Sequence, residues 1–143
     1  MAEKYFNRFH SFCRSLRNLE KSKFADPTAE FVLEGTIRNY ILTFDLAWKV
    51  MKDILVKQLG ITDFAIGSPR EVLQSAFTNG LISDDIWLKM LKTRNLLAHD
   101  YDGIIAKKNF RAIISNYYDA FDGLKDAITK FYDGSLPSID SFD

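Results

Sequence analysis

The feature that most constrains the fold is a stripe of large apolar side chains near the middle of the chain. It consists of Ile37, Tyr40, Ile41, Phe44, Ala47, Trp48, Met51, Ile54 and Leu55. Residues spaced by three and four positions share one face of an α-helix. Asp26-Pro27 has the side-chain acceptor and fixed φ typical of a helix start, and Gly60 is typical of a helix stop. The sequence therefore predicts a helix from Asp26 to Leu59, about 50 Å long.

Other segments carry the same helical spacing and surround this long helix. Apolar residues predict a first helix over 3–22, another that starts at 83–85, and a last helix over 106–132. Ser68-Pro69-Arg70-Glu71 is a capping box with proline at the first helical position, and it predicts a short helix that ends at Asn79-Gly80. No strand pattern, repeat or glycine-rich phosphate loop is present. We therefore predict an all-α fold, an up-and-down four-helix bundle with one extra short helix.

Composition indicates one globular domain. We predict a domain over 1–133 and a disordered, Ser- and Asp-rich tail over 134–143. The apolar stretch within the loop over 60–67 should pack on the bundle. The single cysteine, Cys13, excludes an internal disulfide and suits a reducing compartment. With no long apolar run and no signal-peptide pattern, we expect a cytoplasmic protein that is not in a membrane.

The sequence has zero formal net charge. A protein with no excess of positive charge does not attract nucleic acid over its whole surface. Any contact with RNA must therefore come from a local group of cations.

A dense group of polar side chains closes the helix that starts at 83–85. Arg94, Asn95, His99 and Tyr101 fall within eight positions. Asn95 and His99 are four apart, so on a regular helix the amide could orient the imidazole. Arg94 and His99 are five apart, which separates them by about 140° around the helix axis. They can act on one point if the helix ends or bends near His99, or if a second copy of the chain completes the site.

These residues also have a structural interpretation. A histidine at the end of a helix favours the negative end of the helix dipole, and the arginine and asparagine before it could bind the last carbonyls. Tyr101 could simply fill the end of the bundle.

Two further cations are candidates for binding substrate or phosphate. Lys49 follows Asp45 by one helical turn, and a surface ion pair with that acid explains the lysine equally well. Arg70 lies in the first turn of its helix, where a cation opposes the dipole and suggests an anionic partner. No metal site is predicted, because two histidines and one cysteine, far apart in sequence, do not form a convincing ligand set. No cofactor is predicted either.

The spacing Arg-x4-His-x-Tyr, here Arg94, His99 and Tyr101, resembles the motif of HEPN-domain proteins of the HepT type. Those proteins are encoded beside a minimal nucleotidyltransferase (MNT). Four further stretches, in the same order and at similar spacing, resemble the HEPN subfamily called nucleotidyltransferase substrate-binding proteins: Phe44-Asp45-Leu46-Ala47-Trp48-Lys49, Ser68-Pro69-Arg70-Glu71, Ala76-Phe77 with Gly80-Leu81-Ile82, and Trp87-Leu88 leading to Arg94-Asn95. The resemblance covers roughly residues 5–132.

This resemblance implies a homodimer with the motif helices at its interface and a ribonuclease that needs no metal. An imidazole and a guanidinium can transfer protons and stabilise the charged phosphorane of RNA cleavage. Arg94, His99 and Asn95 are then the catalytic residues, and two copies would supply two histidines to one cleft. The resemblance further implies that the MNT partner, encoded by a neighbouring gene, silences the ribonuclease by attaching AMP to Tyr101.

Three functions therefore remain open. The chain could be the ribonuclease toxin of a toxin–antitoxin pair, or a non-catalytic substrate-binding subunit of a two-component nucleotidyltransferase. A catalytically inactive HEPN interaction module is the third. The five stretches do not separate these alternatives, because fold similarity does not define function.

Overall fold

Six α-helices carry the fold, and the computed structural model describes residues 2–61 and 67–132. The helices are α1 (Ala2–Glu20), α2 (Val32–Asp53), α3 (Pro69–Thr78), α4 (Ile86–Leu97), α5 (Ile104–Ala112) and α6 (Tyr118–Tyr132). No strand occurs in the described ranges. The all-α prediction is confirmed. The predicted tail over 134–143 and the apolar loop residues Phe64, Ala65 and Ile66 lie outside the described residues.

The predicted start of the long helix is wrong. Asp26 accepts hydrogen bonds from the backbone N–H of Thr28 at 2.9 Å and from its hydroxyl at 2.7 Å. These bonds close a local turn around Pro27 and lower the pKa of Asp26. Helix α2 starts only at Val32, after Phe31, whose φ of 70° is left-handed. An acid followed by proline suits a turn as well as a helix start, and here the turn formed.

Two short π-helical segments extend the α-helices. Ile54–Gln58 follows α2 directly, and Ile113–Tyr117 joins α5 to α6. The predicted last helix is therefore one nearly continuous rod from Ile104 to Tyr132. Each π-helical turn places an extra residue in the helix and changes which side faces the core beyond it.

Aromatic residues from four helices meet in the core. The completely buried rings include Phe9 and Phe12 of α1, Tyr40 and Phe44 of α2, and Phe121 of α6. Trp87 of α4 lies edge-on to the Phe121 ring, with centroids 5.6 Å apart. Cys13 is buried among them, and burial raises the pKa of its thiol to about 11. Cys13 is therefore part of the packed core.

The short helix begins as the sequence predicts. The Ser68 hydroxyl accepts a hydrogen bond from the Glu71 backbone N–H at 3.3 Å and donates one to the Glu71 carboxylate at 3.0 Å. Pro69 is the first helical residue. Helix α3 packs against α2 and α4, and the capping box fixes where α3 begins.

None of the described helices has the length and apolar character needed to cross a bilayer.

Candidate functional site

The motif straddles the end of α4. Arg94 and Asn95 lie in the last helical turn, and the helix ends at Leu97. The backbone N–H of His99 then bonds the carbonyl of Leu96 at 3.2 Å, an i→i+3 bond of the kind that tightens the chain at a helix end. The predicted helix end near His99 is confirmed. One consequence is that Ala98, just past the helix end, is exposed.

Helix α4 is held against α2 by a buried hydrogen bond. The Tyr40 hydroxyl donates to the backbone carbonyl of Met90 at 2.8 Å, and burial raises the pKa of that hydroxyl. Thr93, also buried, has its hydroxyl 3.0 Å from that of Tyr117. The backbone that carries Arg94 is therefore fixed on two sides by core contacts.

Arg94 is bound by Asp45 in a two-point ion pair. The Nε of Arg94 donates to Oδ1 of Asp45 at 3.0 Å, and Nη2 donates to Oδ2 at 2.9 Å. Hydrogen bonding to Asp45 raises the pKa of Arg94. The two side chains are 27% and 29% exposed. Such parallel bonds fix the plane of the guanidinium as well as its position.

Asp45 was not predicted as a site residue. The sequence interpretation paired it with Lys49, one turn away, whereas the structure pairs it with Arg94 of a different helix. Lys49 is exposed, and its Nζ lies 5.8 Å from the centroid of the neighbouring Trp48 ring. A planar guanidinium fits a carboxylate at two points, which a lysine cannot do. Asp45 belongs to one of the stretches that resemble the family, and this membership was the signal in the sequence that could have identified it as a site residue.

His99 and Asn95 are both exposed. Their predicted helical contact is not formed, since α4 ends between them; among the described residues no hydrogen bond joins the two side chains. The prediction that Asn95 orients His99 is therefore wrong for the single chain. The side chain of His99 is open to solvent, five positions after the anchored Arg94.

Asp100 fixes the loop that carries His99 and Tyr101. Its Oδ1 accepts from the Ile105 backbone N–H at 3.0 Å, and its Oδ2 accepts from that of Ala106 at 2.8 Å. The residue at the cap position of α5 is Gly103, with a φ of 73° and no side chain to cap the helix. Asp100 supplies the missing acceptor from three residues upstream. Sequence reasoning missed it, although an acid shortly before a helix start is a recognisable signal.

Tyr101 is 91% exposed. The alternative that it fills the end of the bundle is thereby excluded. Tyr117, by contrast, is 3% exposed and bonded within the core. Tyr101 is one of the residues that line a cleft between the first half of α2 and the loop after α4.

A family model described as nucleotidyltransferase substrate binding protein like matches residues 6–130. The chain belongs to this family. The match confirms the resemblance to nucleotidyltransferase substrate-binding proteins. A search of curated proteins finds no match.

Lys49 and Arg70, the two further cations predicted to bind substrate or phosphate, are both exposed in this family member. Lys49 lies one turn beyond Asp45 on α2, and Arg70 occupies the first turn of α3, outside the bonds of the capping box. Neither lines the cleft beside Tyr101. Their part in binding substrate stays a prediction.

Within the described residues, no three histidine, cysteine, aspartate or glutamate side chains come together as metal ligands would. The polar groups gathered at the end of α4 are a guanidinium, an amide, an imidazole and a phenol. They can bind phosphate and transfer protons.

Proposed function

We propose that this protein is the toxin of a HEPN/MNT toxin–antitoxin pair, a ribonuclease that cleaves RNA without a metal ion. Its nucleotidyltransferase partner, encoded by a neighbouring gene, silences it by attaching AMP to Tyr101. The observation that carries the proposal is the arrangement at the end of α4. His99 and Tyr101 carry an exposed imidazole and an exposed phenol on one loop that Asp100 fixes, and Asp45 holds the guanidinium of Arg94 in place in the last turn before that loop.

The proposed chemistry uses the 2′-hydroxyl of RNA as the nucleophile. Its oxygen attacks the adjacent phosphorus while the bond to the 5′-oxygen breaks, leaving a cyclic phosphate and a free 5′-hydroxyl. One imidazole removes the proton from the 2′-hydroxyl, and another protonates the departing 5′-oxygen. Asp45 occupies Nε and Nη2 of Arg94. Both hydrogens of Nη1 and the second hydrogen of Nη2 therefore remain to donate to the phosphate oxygens as negative charge builds up.

A two-fold dimer supplies the second imidazole. Asn95 and His99 are exposed, and the nearby Leu88 and Leu96 of α4 are large apolar side chains that also face solvent. Two copies that pair through this face would bury the leucines and bring two copies of the motif together. In that arrangement Asn95 can reach RNA or the partner's motif, a role that its position within one chain does not provide.

We expect a dimer in light scattering at micromolar concentration, with neither RNA nor the nucleotidyltransferase present. Leu96→Asp should shift the protein toward monomer, because a carboxylate would be buried at the interface. Leu42→Asp is the matched control, since Leu42 is an exposed leucine of α2. A wild-type monomer, or equal effects of the two variants, would contradict the dimer through α4.

Co-expression with the partner should leave this chain heavier by one or more AMP units. Attack by the phenol oxygen of Tyr101 on the α-phosphorus of ATP would form the phosphodiester and release pyrophosphate. We expect intact-mass spectrometry to show the added mass on wild type and its absence on Tyr101→Phe. The phenylalanine variant should remain toxic and insensitive to the partner's catalysis. It should still bind the partner, since one hydroxyl is a small part of an interface.

The modification proposal fails if the co-purified chain has its unmodified mass and the partner still neutralises Tyr101→Phe fully. A catalytically inactive partner provides the control, since it can bind but cannot transfer AMP.

A second candidate function follows from the family description. The chain could be a non-catalytic subunit that holds the substrate of a nucleotidyltransferase. Expression of this chain alone separates the two candidates. Growth arrest that the neighbouring gene relieves supports the toxin, whereas unimpaired growth together with stimulated activity of the transferase supports the binding subunit.

A further inference from the structure

A cleft of about 510 Å³ lies beside Tyr101, and the proposed ribonuclease chemistry does not use it. One wall is the first half of α2, and the other is formed by the loop after α4 and the first turn of α5. Its volume falls within the usual range of small-molecule sites.

The floor of the cleft is apolar. Ile37 and Ile41 of α2 are partly buried against the core, and Leu97 at the end of α4 is buried. The exposed phenol of Tyr101 stands at the edge of this floor. An apolar surface that includes an aromatic residue suits the face of a nucleobase.

The rim carries two cations from opposite walls. Arg38 belongs to α2 and Lys107 to α5, and both are exposed. Within the described part of the chain neither has an ion-pair partner. Both are positively charged and line the same cleft, so a phosphate bound there would be attracted by both cations.

Three acids also line the cleft, and they differ in what they can bind. Asp100 is committed to the backbone of α5. Glu34 and Asp102 are exposed and can accept hydrogen bonds from the amino group of a base or from ribose hydroxyls.

We propose that this cleft binds a nucleoside monophosphate unit, with the base on the apolar floor and the phosphate between Arg38 and Lys107. The inference rests on the proposed function for the origin of the ligand. The nucleotide is either the AMP carried by Tyr101 or one nucleotide of the RNA substrate, and both present the same base and phosphate.

Binding is measured by titrating the purified, unmodified chain with AMP, using calorimetry and backbone amide shifts. Saturable binding is expected, with shifts concentrated at the residues of the cleft. Arg38→Glu and Lys107→Glu should each weaken binding by about tenfold or more, the effect of losing a charge-assisted phosphate contact and adding repulsion. Adenosine, which lacks the phosphate, should bind more weakly and be insensitive to both substitutions.

Lys108→Glu and Arg111→Glu are the matched controls. Both residues are exposed cations of α5 that do not line the cleft, and Lys108 is the immediate neighbour of Lys107. Their variants should bind AMP within about twofold of wild type, because the charge lies outside contact distance and is screened by salt. Absence of saturable binding at millimolar AMP, or equal losses in the controls, would overturn the proposal. Thermal melts confirm that every variant is folded.

Two further arms identify the origin of the nucleotide. If the cleft holds the AMP on Tyr101, the AMPylated chain should no longer bind free AMP. If it holds a nucleotide of RNA, His99→Ala should bind a short single-stranded RNA, and adding Arg38→Glu should weaken that binding. AMP binding by a chain that neither cleaves RNA nor becomes modified would refute the proposed function and leave the nucleotide site standing. Cleavage and modification without AMP binding would support the proposed function and refute the nucleotide site.

Discussion

Replacing His99 by alanine should reduce RNA cleavage by roughly two to four orders of magnitude, the usual contribution of a positioned acid–base group. Stability should change little, because the side chain is exposed and lies outside the core. The measurement is single-turnover cleavage of a fluorogenic RNA by the purified chain, together with urea unfolding of both proteins. Growth arrest on expression should disappear in parallel.

His10→Ala is the control for this prediction, because His10 is the other histidine of the chain and belongs to α1. Its Nε2 lies 2.8 Å from Nη2 of Arg14, on a part of the bundle that the motif does not include. The control should cleave RNA at the wild-type rate. Wild-type cleavage by His99→Ala would exclude the ribonuclease mechanism and favour the substrate-binding subunit.

Arg94→Ala should also abolish cleavage, and Asp45→Asn should reduce it by about ten- to a hundredfold. The arginine is proposed to contact the phosphate, whereas Asp45 positions the guanidinium and touches no substrate. A displacement of the guanidinium by about 1 Å is enough for a loss of that size. Loss of the partly exposed pair should lower the free energy of unfolding by about 1 kcal/mol. No core packing is removed by either change.

The Arg8–Asp53 pair offers a matched control within the same bundle. Arg8 Nη1 lies 2.9 Å from Asp53 Oδ1, with side chains 32% and 17% exposed, and the pair joins α1 to α2. Arg8→Ala should lower stability to a similar extent and leave cleavage unchanged. If Arg8→Ala lost cleavage as fully as Arg94→Ala, the Arg94 effect would be one of stability.

A separate readout tests whether Asp45 acts by positioning. If Asp45→Asn and Asp45→Glu are both folded, the positioning role predicts that kcat falls with little change in KM. Partial recovery is expected with glutamate, which retains the carboxylate. Wild-type kinetics in Asp45→Asn would remove Asp45 from the mechanism.

Local sequence patterns predicted those parts of the structure that depend on neighbours along the chain. The capping box at Ser68, the apolar face of α2 and the helix end before His99 are all of this kind. The start of α2 was missed because an acid and a proline can close a turn as readily as they open a helix. Here the turn is closed by the backbone N–H and hydroxyl of Thr28, which both donate to the carboxylate of Asp26.

Contacts between distant segments could not be predicted in this way. Asp45 and Arg94 are 49 positions apart, so helical spacing offered only the nearby Lys49 as a partner. The cleft beside Tyr101 needs Arg38 and Lys107 from helices that only the folded chain brings together. The motif residues were identified by their spacing, whereas the contacts that hold them in place depend on tertiary packing.

The position of Asp100 restricts how this loop can vary. Because both of its carboxylate oxygens bind the start of α5, the residue between His99 and Tyr101 is an anchor that sets where each neighbour points. An inserted residue on either side would displace the imidazole or the phenol by about 3.8 Å relative to that anchor. The two side chains can therefore be exchanged one at a time, but the loop cannot be lengthened without displacing one of them. The residue at the unspecified position of the His-x-Tyr pattern is Asp100, and in this protein it fixes the backbone from which both His99 and Tyr101 extend.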